Sequence, residues 1–166
     1  MQKFGVSTQQ LAGGDIYPAL ELGTIDATEF AMPAIDRSLG FYQIAKYNYF
    51  PGWHQQSTTN EIVVNMKKWE KLSKQHKAMF ETACAANIAW ELAEGEALQP
   101  AAMIANEKDG VKNMTWPDSV LDELRAAWGE VLKEQVAANA DVAKLWKSYS
   151  EFHEQYKIWG DRGYLK

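Results

Sequence analysis

Gly13-Gly14-Asp15-Ile16-Tyr17-Pro18-Ala19-Leu20-Glu21-Leu22-Gly23-Thr24-Ile25-Asp26-Ala27-Thr28-Glu29-Phe30 is the stretch whose reading decides the fold. Gly13-Gly14-Asp15 reads as a turn followed by an acid at a helix N-cap. Ile16, Ala19 and Leu20 then share one helical face, and Gly23 fits the C′ position that ends a helix. Pro18 is tolerated if it lies in the first turn. Residues 24–30 read as a strand with Ile25, Ala27 and Glu29 on one face. A helix feeding a strand is half of an α/β unit, and this one carries Glu29-Phe30 to the strand's carboxyl edge. Ligands of open α/β sheets bind beyond that edge.

Working outward, residues 7–12 read as a short strand, 33–39 predict a short helix and 44–50 an aromatic, β-prone run broken by Pro51-Gly52. Residues 58–65 are a second β-prone run. Residues 66–72 predict a short helix, and Ser73 is an N-cap for a long helix over 74–108, bent at Pro100 and ended by Asp109-Gly110. Residues 111–116 predict a strand. Pro117 opens a helix carrying Val120, Leu121, Leu124, Trp128, Val131 and Leu132 on one side. The last helix carries Val142, Leu145, Trp146, Tyr149, Phe152, Tyr156 and Trp159 at steps of three and four. Core packing is the plain reading of that last stripe, and pairing with another chain is the alternative. The order of elements predicts an α/β domain with long C-terminal helices as cladding. About four short strands are fewer than the five or six of a complete doubly wound sheet, so the pattern reads as part of a larger one.

Composition narrows the partners. The chain has 166 residues, 46% apolar and 23% charged, with a net charge of −5. No Lys/Arg cluster stands out, which argues against nucleic acid and against an anionic membrane surface. No apolar run reaches the roughly 20 residues that cross a bilayer. The single cysteine, Cys84, can form no internal disulfide, and there is no Cys/His spacing for zinc. Six of the seven tryptophans fall in or beside helical patterns and read as core; Trp53, after Pro51-Gly52, lies in a loop.

Charge singles out one segment. Between Gly13 and Asp36 there are five acids (Asp15, Glu21, Asp26, Glu29, Asp36) and no Lys or Arg. An anion cannot sit against that segment unaided. It needs a cationic side chain from elsewhere, or a metal cation held by Glu29. Oxygen donors of this kind suit a hard cation such as Na⁺ or Ca²⁺. The plainer alternatives are a solvent-facing end for Glu29, core for Phe30, and hinge packing for Trp53. Gln55 and Gln56 would point to opposite sides if extended, so at most one faces a ligand. His54 has no Ser, Cys or acid spaced to make a catalytic set. His76 and His153 read as helix-surface residues.

The motif Gly-Gly-x-Ile-Tyr-x-Ala-Leu, the following Gly-x-Ile-Asp-Ala and Glu29 resemble a segment of the solute-binding proteins of TRAP (tripartite ATP-independent periplasmic) transporters, the DctP-like family. Leu39-Gly40-Phe41-Tyr42 with Ala45-Lys46-Tyr47 is similar to a second family block, and Tyr49-Phe50-Pro51-Gly52-Trp53 to a third. Asn65 with Trp69, and Trp146, Tyr149 and Phe152, continue the likeness in order along the chain. With Glu29-Phe30, these blocks are most similar to the branch that binds 2-oxo acids, lactate and related monocarboxylates. The resemblance implies a partial type II periplasmic binding protein fold of two α/β lobes. Residues 1–55 would end the second lobe with its ligand-facing strand, 56–95 would return to the first lobe, and 96–166 would clad the second lobe and brace both. It implies capture of a small organic acid, delivery to TRAP membrane subunits, a periplasmic location and no catalysis. It implies ligand contacts at Glu29, Phe30, Trp53 and Gln55, with Glu29, Phe30 and Gln55 holding a Na⁺ or Ca²⁺ that bridges the ligand; no cofactor is required. Some members dimerise through terminal helices. Family members are about twice as long, start with a secretion signal or a lipoprotein-type anchor, and clamp the carboxylate with an arginine that Arg37 does not match, so the chain is expected to be incomplete. An α/β enzyme and a helical interaction module are the alternative classes.

Overall fold

A computed structural model describes residues 1–164 apart from His54, Gln56 and Thr59. Among the described residues, the predicted alternation of helix and strand is realised as six α-helices and a two-stranded parallel sheet. The contacts divide the chain into two units, residues 7–116 and residues 1–6 with 117–166.

In the first unit, α1 (Gly13–Glu21) starts three residues earlier than the N-cap reading of Asp15 requires. Ala12 is the N-cap, and the Asp15 amide donates to the Ala12 carbonyl at 2.8 Å. Asp15 therefore sits in the first turn, where its charge favours the helix dipole. Pro18 consequently falls in the second turn, not the first, and the Gly14 carbonyl loses the amide that would have met it. The helix ends as Gly23 predicts. Gly23 has φ 68°, its amide donates to the Leu20 carbonyl at 3.1 Å, and the Thr24 amide donates to the Ala19 carbonyl at 2.8 Å. These are the paired bonds of a Schellman motif, and the left-handed position is where a Cβ would be strained.

The expected strand over 24–30 is not formed. The Thr24 and Ile25 amides both fold back on the Ala19 carbonyl to close α1. Among the described residues no strand lies beside the segment, and an extended run without a neighbour has no ladder. Residues 7–12 and the described part of 58–65 likewise run without a ladder, and Thr59 lies outside the described residues. The sheet that does form pairs β1 (Tyr47–Phe50) with β2 (Lys112–Thr115), Tyr47 opposite Lys112 and Phe50 opposite Thr115. Parallel pairing needs a long crossover. It is supplied by α3 (Met66–Glu70) and α4 (Lys74–Lys108).

The 35 residues of α4 span about 50 Å. Ser73 caps it as predicted, its hydroxyl accepting from the His76 amide at 3.1 Å. Gly110, at φ 86°, releases the chain into β2. The C-terminal part of α4 packs against α2 (Pro33–Ser38), burying Ala102 and Asn106, with Phe41 and Val111 close in sequence to these elements and also buried. Polar locks hold this packing. The Ala34 amide donates to Gln99 Oε1 at 3.0 Å. Arg37 donates to Asn106 Oδ1 at 2.8 Å and to Asp109 Oδ2 at 2.7 Å, and its guanidinium lies 4.2 Å above the Tyr42 ring.

In the second unit, α5 (Asp118–Ala138) and α6 (Ala140–Gly160) are joined through Asn139. Its side-chain oxygen accepts from the amides of Asp141 and Val142 at 2.9 and 3.3 Å, an N-cap that starts α6 as α5 stops. Trp128 of α5 and Trp146 of α6 pack at 5.6 Å between centroids. Lys3 donates to Glu130 and Glu134 at 3.0 and 2.9 Å, tying the N-terminal residues to α5. Along the stripe on α6, Val142 and Trp146 are half-buried, whereas Leu145, Tyr149, Phe152, Tyr156 and Trp159 are exposed. Among the described residues no helix is long and apolar enough to cross a membrane.

Candidate functional site

All four predicted site residues belong to the unit 7–116. Glu29 and Phe30 end the extended run that leaves α1, just before Pro33 opens α2. Glu29 is exposed. The Phe30 ring keeps 41% of its surface open and meets Phe41 edge-on, with centroids 6.1 Å apart and planes at 87°. Phe41 is only 6% exposed, so the Phe30 ring rests on a fixed support. The tip of the ring also lies against Gly13, where a Cβ would come within 3.0 Å of Cε2. Thus Gly13 and Phe30, 17 residues apart in sequence, meet in space.

Asp36 completes this corner. Its Oδ1 accepts the Ala31 amide at 3.1 Å, fixing the backbone directly after Phe30. Burial pushes its carboxyl up to about 6; the Ala31 amide opposes the rise, and the negative charge of Glu29 adds to it. Burial first, and then the charge of Glu29 nearby, thus favour the protonated form of Asp36. The nearest basic residue in sequence, Arg37, is engaged by Asn106 and Asp109. Lys46 is engaged by the carbonyls of Tyr42 and Asp109, at 2.9 and 3.2 Å.

Trp53 and Gln55 lie beyond the carboxyl end of β1, past the cis Phe50–Pro51 peptide. Trp53 is half-buried. Gln55 is exposed, and its amide nitrogen donates to Thr58 Oγ1 at 2.7 Å. That bond uses the donor side of the amide and leaves its carbonyl oxygen as the side suited to a cation or a donor group. Phe30 is ring-packed on Phe41, and Gln55 is bonded to Thr58. His54 and Gln56, weighed from the sequence, lie outside the described residues. His76 is exposed on α4, and His153 is exposed on α6, stacked on Tyr149.

Among the described residues no group of three His, Cys, Asp or Glu side chains is placed to hold a metal ion. The donors near Glu29 and Gln55 are carboxylate, amide and main-chain oxygens, the chemistry of a hard, weakly held cation rather than of zinc. Sequence reading missed Asp36 and Phe41 as supports of this corner. The signal for Asp36 was present in the run of acids without a base; that for Phe41 was not, since its contact is tertiary.

Comparison with known proteins bears on the family and the fold. Residues 1–139 match the bacterial extracellular solute-binding protein family 7, DctP. The chain is 28% identical over 159 residues to the monocarboxylate 2-oxoacid-binding periplasmic protein of Nostoc sp. (strain PCC 7120), covering 96% of this chain and 44% of that protein. It superimposes with a TM-score of 0.85 and 36% identity on a TRAP transporter solute-binding protein from Bordetella bronchiseptica RB50, a dimer described with copurified calcium and picolinate, covering 95% of this chain and 47% of that one. A TRAP periplasmic solute-binding protein from Pseudoalteromonas atlantica T6c, with bound sodium and pyruvate, gives a TM-score of 0.82 at 28% identity, over 95% and 48% of the two chains. The chain spans a little under half the length of these relatives. The family is a solute-binding component of transport and not an enzyme family. On the match over residues 1–139 and the shared fold, the chain belongs to family 7 of the bacterial extracellular solute-binding proteins, the DctP family of TRAP transporters.

Proposed function

We propose that this chain forms one wall of the ligand cleft of a TRAP-type solute-binding protein that captures a small organic acid, a 2-oxo acid or a related carboxylate, in the periplasm. The acid corner at Glu29 and Asp36 is the observation that carries this reading. A carboxylate ligand would be repelled there, whereas a ligand bridged by a cation would be held. Glu29 would supply a carboxylate oxygen, Phe30 its main-chain carbonyl and apolar ring, and Gln55 its amide oxygen, with Trp53 as a wall. Na⁺ or Ca²⁺ suits these donors. The pairing of sodium with pyruvate and of calcium with picolinate in the two structural neighbours supports the bridging role. Residues 1–55 would then end the second, ligand-facing lobe, 56–95 would return to the first lobe, and 96–166 would clad the second lobe and brace both. Closure around the ligand presents the protein to the TRAP membrane subunits, because the ligand's contacts favour the closed state. No bond is made or broken in the solute.

The test is a thermal-shift screen of the full gene product against small carboxylates, with and without Na⁺ or Ca²⁺. A ligand at about 100 times its Kd stabilises the native state by about 2.7 kcal/mol. Pyruvate or a similar acid is expected to raise the midpoint only when the cation is present, and Glu29→Gln to remove that dependence. A flat response to every acid overturns the reading.

A second role rests on a separate observation. The exposed aromatic stripe of α6 fits self-association through the C-terminal helices. Light scattering of the full gene product distinguishes a dimer from a monomer, and Phe152→Glu is expected to favour the monomer.

A further inference from the structure

We propose that Gly13 is a positioning residue that sets where Phe30 stands in the ligand wall, and that of the two adjacent glycines only the first is required by the site. The inference rests on the reading of Glu29-Phe30 as that wall.

The two glycines look alike in sequence and differ in space. A Cβ at Gly13 would stand 3.0 Å from Phe30 Cε2 and 3.1 Å from Cζ, whereas a Cβ at Gly14 would meet nothing within 4 Å. Neither glycine has positive φ, so backbone conformation does not demand either of them. What Gly13 provides is the absence of a side chain under the tip of the Phe30 ring. A methyl group there forces the ring to give way by a few tenths of an ångström. The ring cannot retreat into Phe41, which is buried and meets it edge-on. It must swing toward its open side, the side on which a ligand would lie. Because the contact is with the far end of a side chain, the displacement costs folding little. Alanine also favours the first turn of α1 over glycine. A purely structural role would lower stability on substitution; a positioning role lowers affinity and spares stability.

The experiment is isothermal titration of the full gene product with pyruvate in Na⁺ and in Ca²⁺, together with thermal unfolding. Gly13→Ala is expected to bind about tenfold more weakly, with an unfolding midpoint no lower than wild type. Gly14→Ala should bind within about twofold of wild type. In the Phe30→Leu background, where the ring is gone, Gly13→Ala should cost no further affinity, since the two substitutions act through one contact. Wild-type affinity for Gly13→Ala, an equal loss from Gly14→Ala, or an undiminished loss in the Phe30→Leu background would each overturn the role of Gly13. If Glu29→Gln and Phe30→Leu both bind as wild type, or the wild-type protein binds no carboxylate in either salt, the wall itself is misassigned and the inference falls with it.

Discussion

The two halves of α4 are one continuous helix held in two different ways. The C-terminal half is fixed by the rest of its unit. Gln99 meets the Ala34 amide, Ala102 and Asn106 are buried, and Arg37 reaches both Asn106 and Asp109. The N-terminal half presents Met79, Ile88 and Trp90 to solvent, and its ties include the Ser73 cap, the edge-on pair of Trp69 with Phe80, the Lys77 ammonium over the Trp69 ring and a hydrogen bond from Asn60 to Glu91. Helices are stabilised in proteins mainly by packing of an apolar face rather than by propensity. The contrast therefore separates a scaffold part of the helix, fixed by buried contacts, from a part whose large apolar side chains are exposed. Glu29-Phe30 and Asp36 are attached to the scaffold half through α2. This explains how a segment without a ladder can still hold a defined corner.

The sharpest way to break the comparison is to remove the lock of the scaffold half. Arg37→Ala leaves Asn106, 5% exposed, without its guanidinium partner and takes the stacked cation off Tyr42. A buried polar group left unpaired costs about 1–3 kcal/mol, and the loss of the Asp109 pair adds less because Arg37 is itself 29% exposed. The expected loss is about 2–3 kcal/mol in urea unfolding. A loss below about 0.5 kcal/mol would mean that apolar packing alone holds α2 on α4.

Asp36 tests the same half from its titration. Its folded carboxyl is raised to about 6, above the ordinary 3.8, first by burial and then by Glu29, against the Ala31 amide. Between these values the native state holds more protons than the unfolded chain, so stability falls as pH rises from about 4 to 6, and the cost is fully present above pH 6. Asp36→Asn keeps an oxygen for the Ala31 amide and removes the charge. Relative to wild type it should gain on the order of 1–2 kcal/mol between pH 4 and pH 7.5, discounted for the carboxyl's partial exposure. Urea curves at the two pH values measure it. A pH-independent difference would show that Asp36 is not held in the raised state.

These cases mark what could be read from the sequence. The ends of α4, the Gly23 termination and both strands of the sheet followed from local chemistry: a serine cap, a left-handed glycine, β-prone runs bounded by Pro-Gly and Asp-Gly. Residues 24–30 carried the same alternation as a strand, but a ladder depends on a neighbour, and alternation cannot report whether one is present. Asp15 is equally suited to an N-cap or to the first turn, and only the Ala12 bond decides between them. At the site, the residue types at Glu29 and Phe30 were legible. Their supports were not, because Gly13, Phe41 and Asp36 act through tertiary contacts that no local pattern encodes.

The smallest expected effect lies in the other half of α4. Ser73→Ala removes the hydroxyl that accepts the His76 amide. Loss of such a cap costs about 1 kcal/mol. In a half whose large apolar side chains are exposed, the cost should appear as local opening rather than as loss of the whole unit. Hydrogen exchange is therefore expected to quicken at the first-turn amides of α4, including that of His76, and to stay unchanged at the Asn106 amide. Equal acceleration at both positions would mean that the helix opens as one cooperative element, and the division between its halves would disappear.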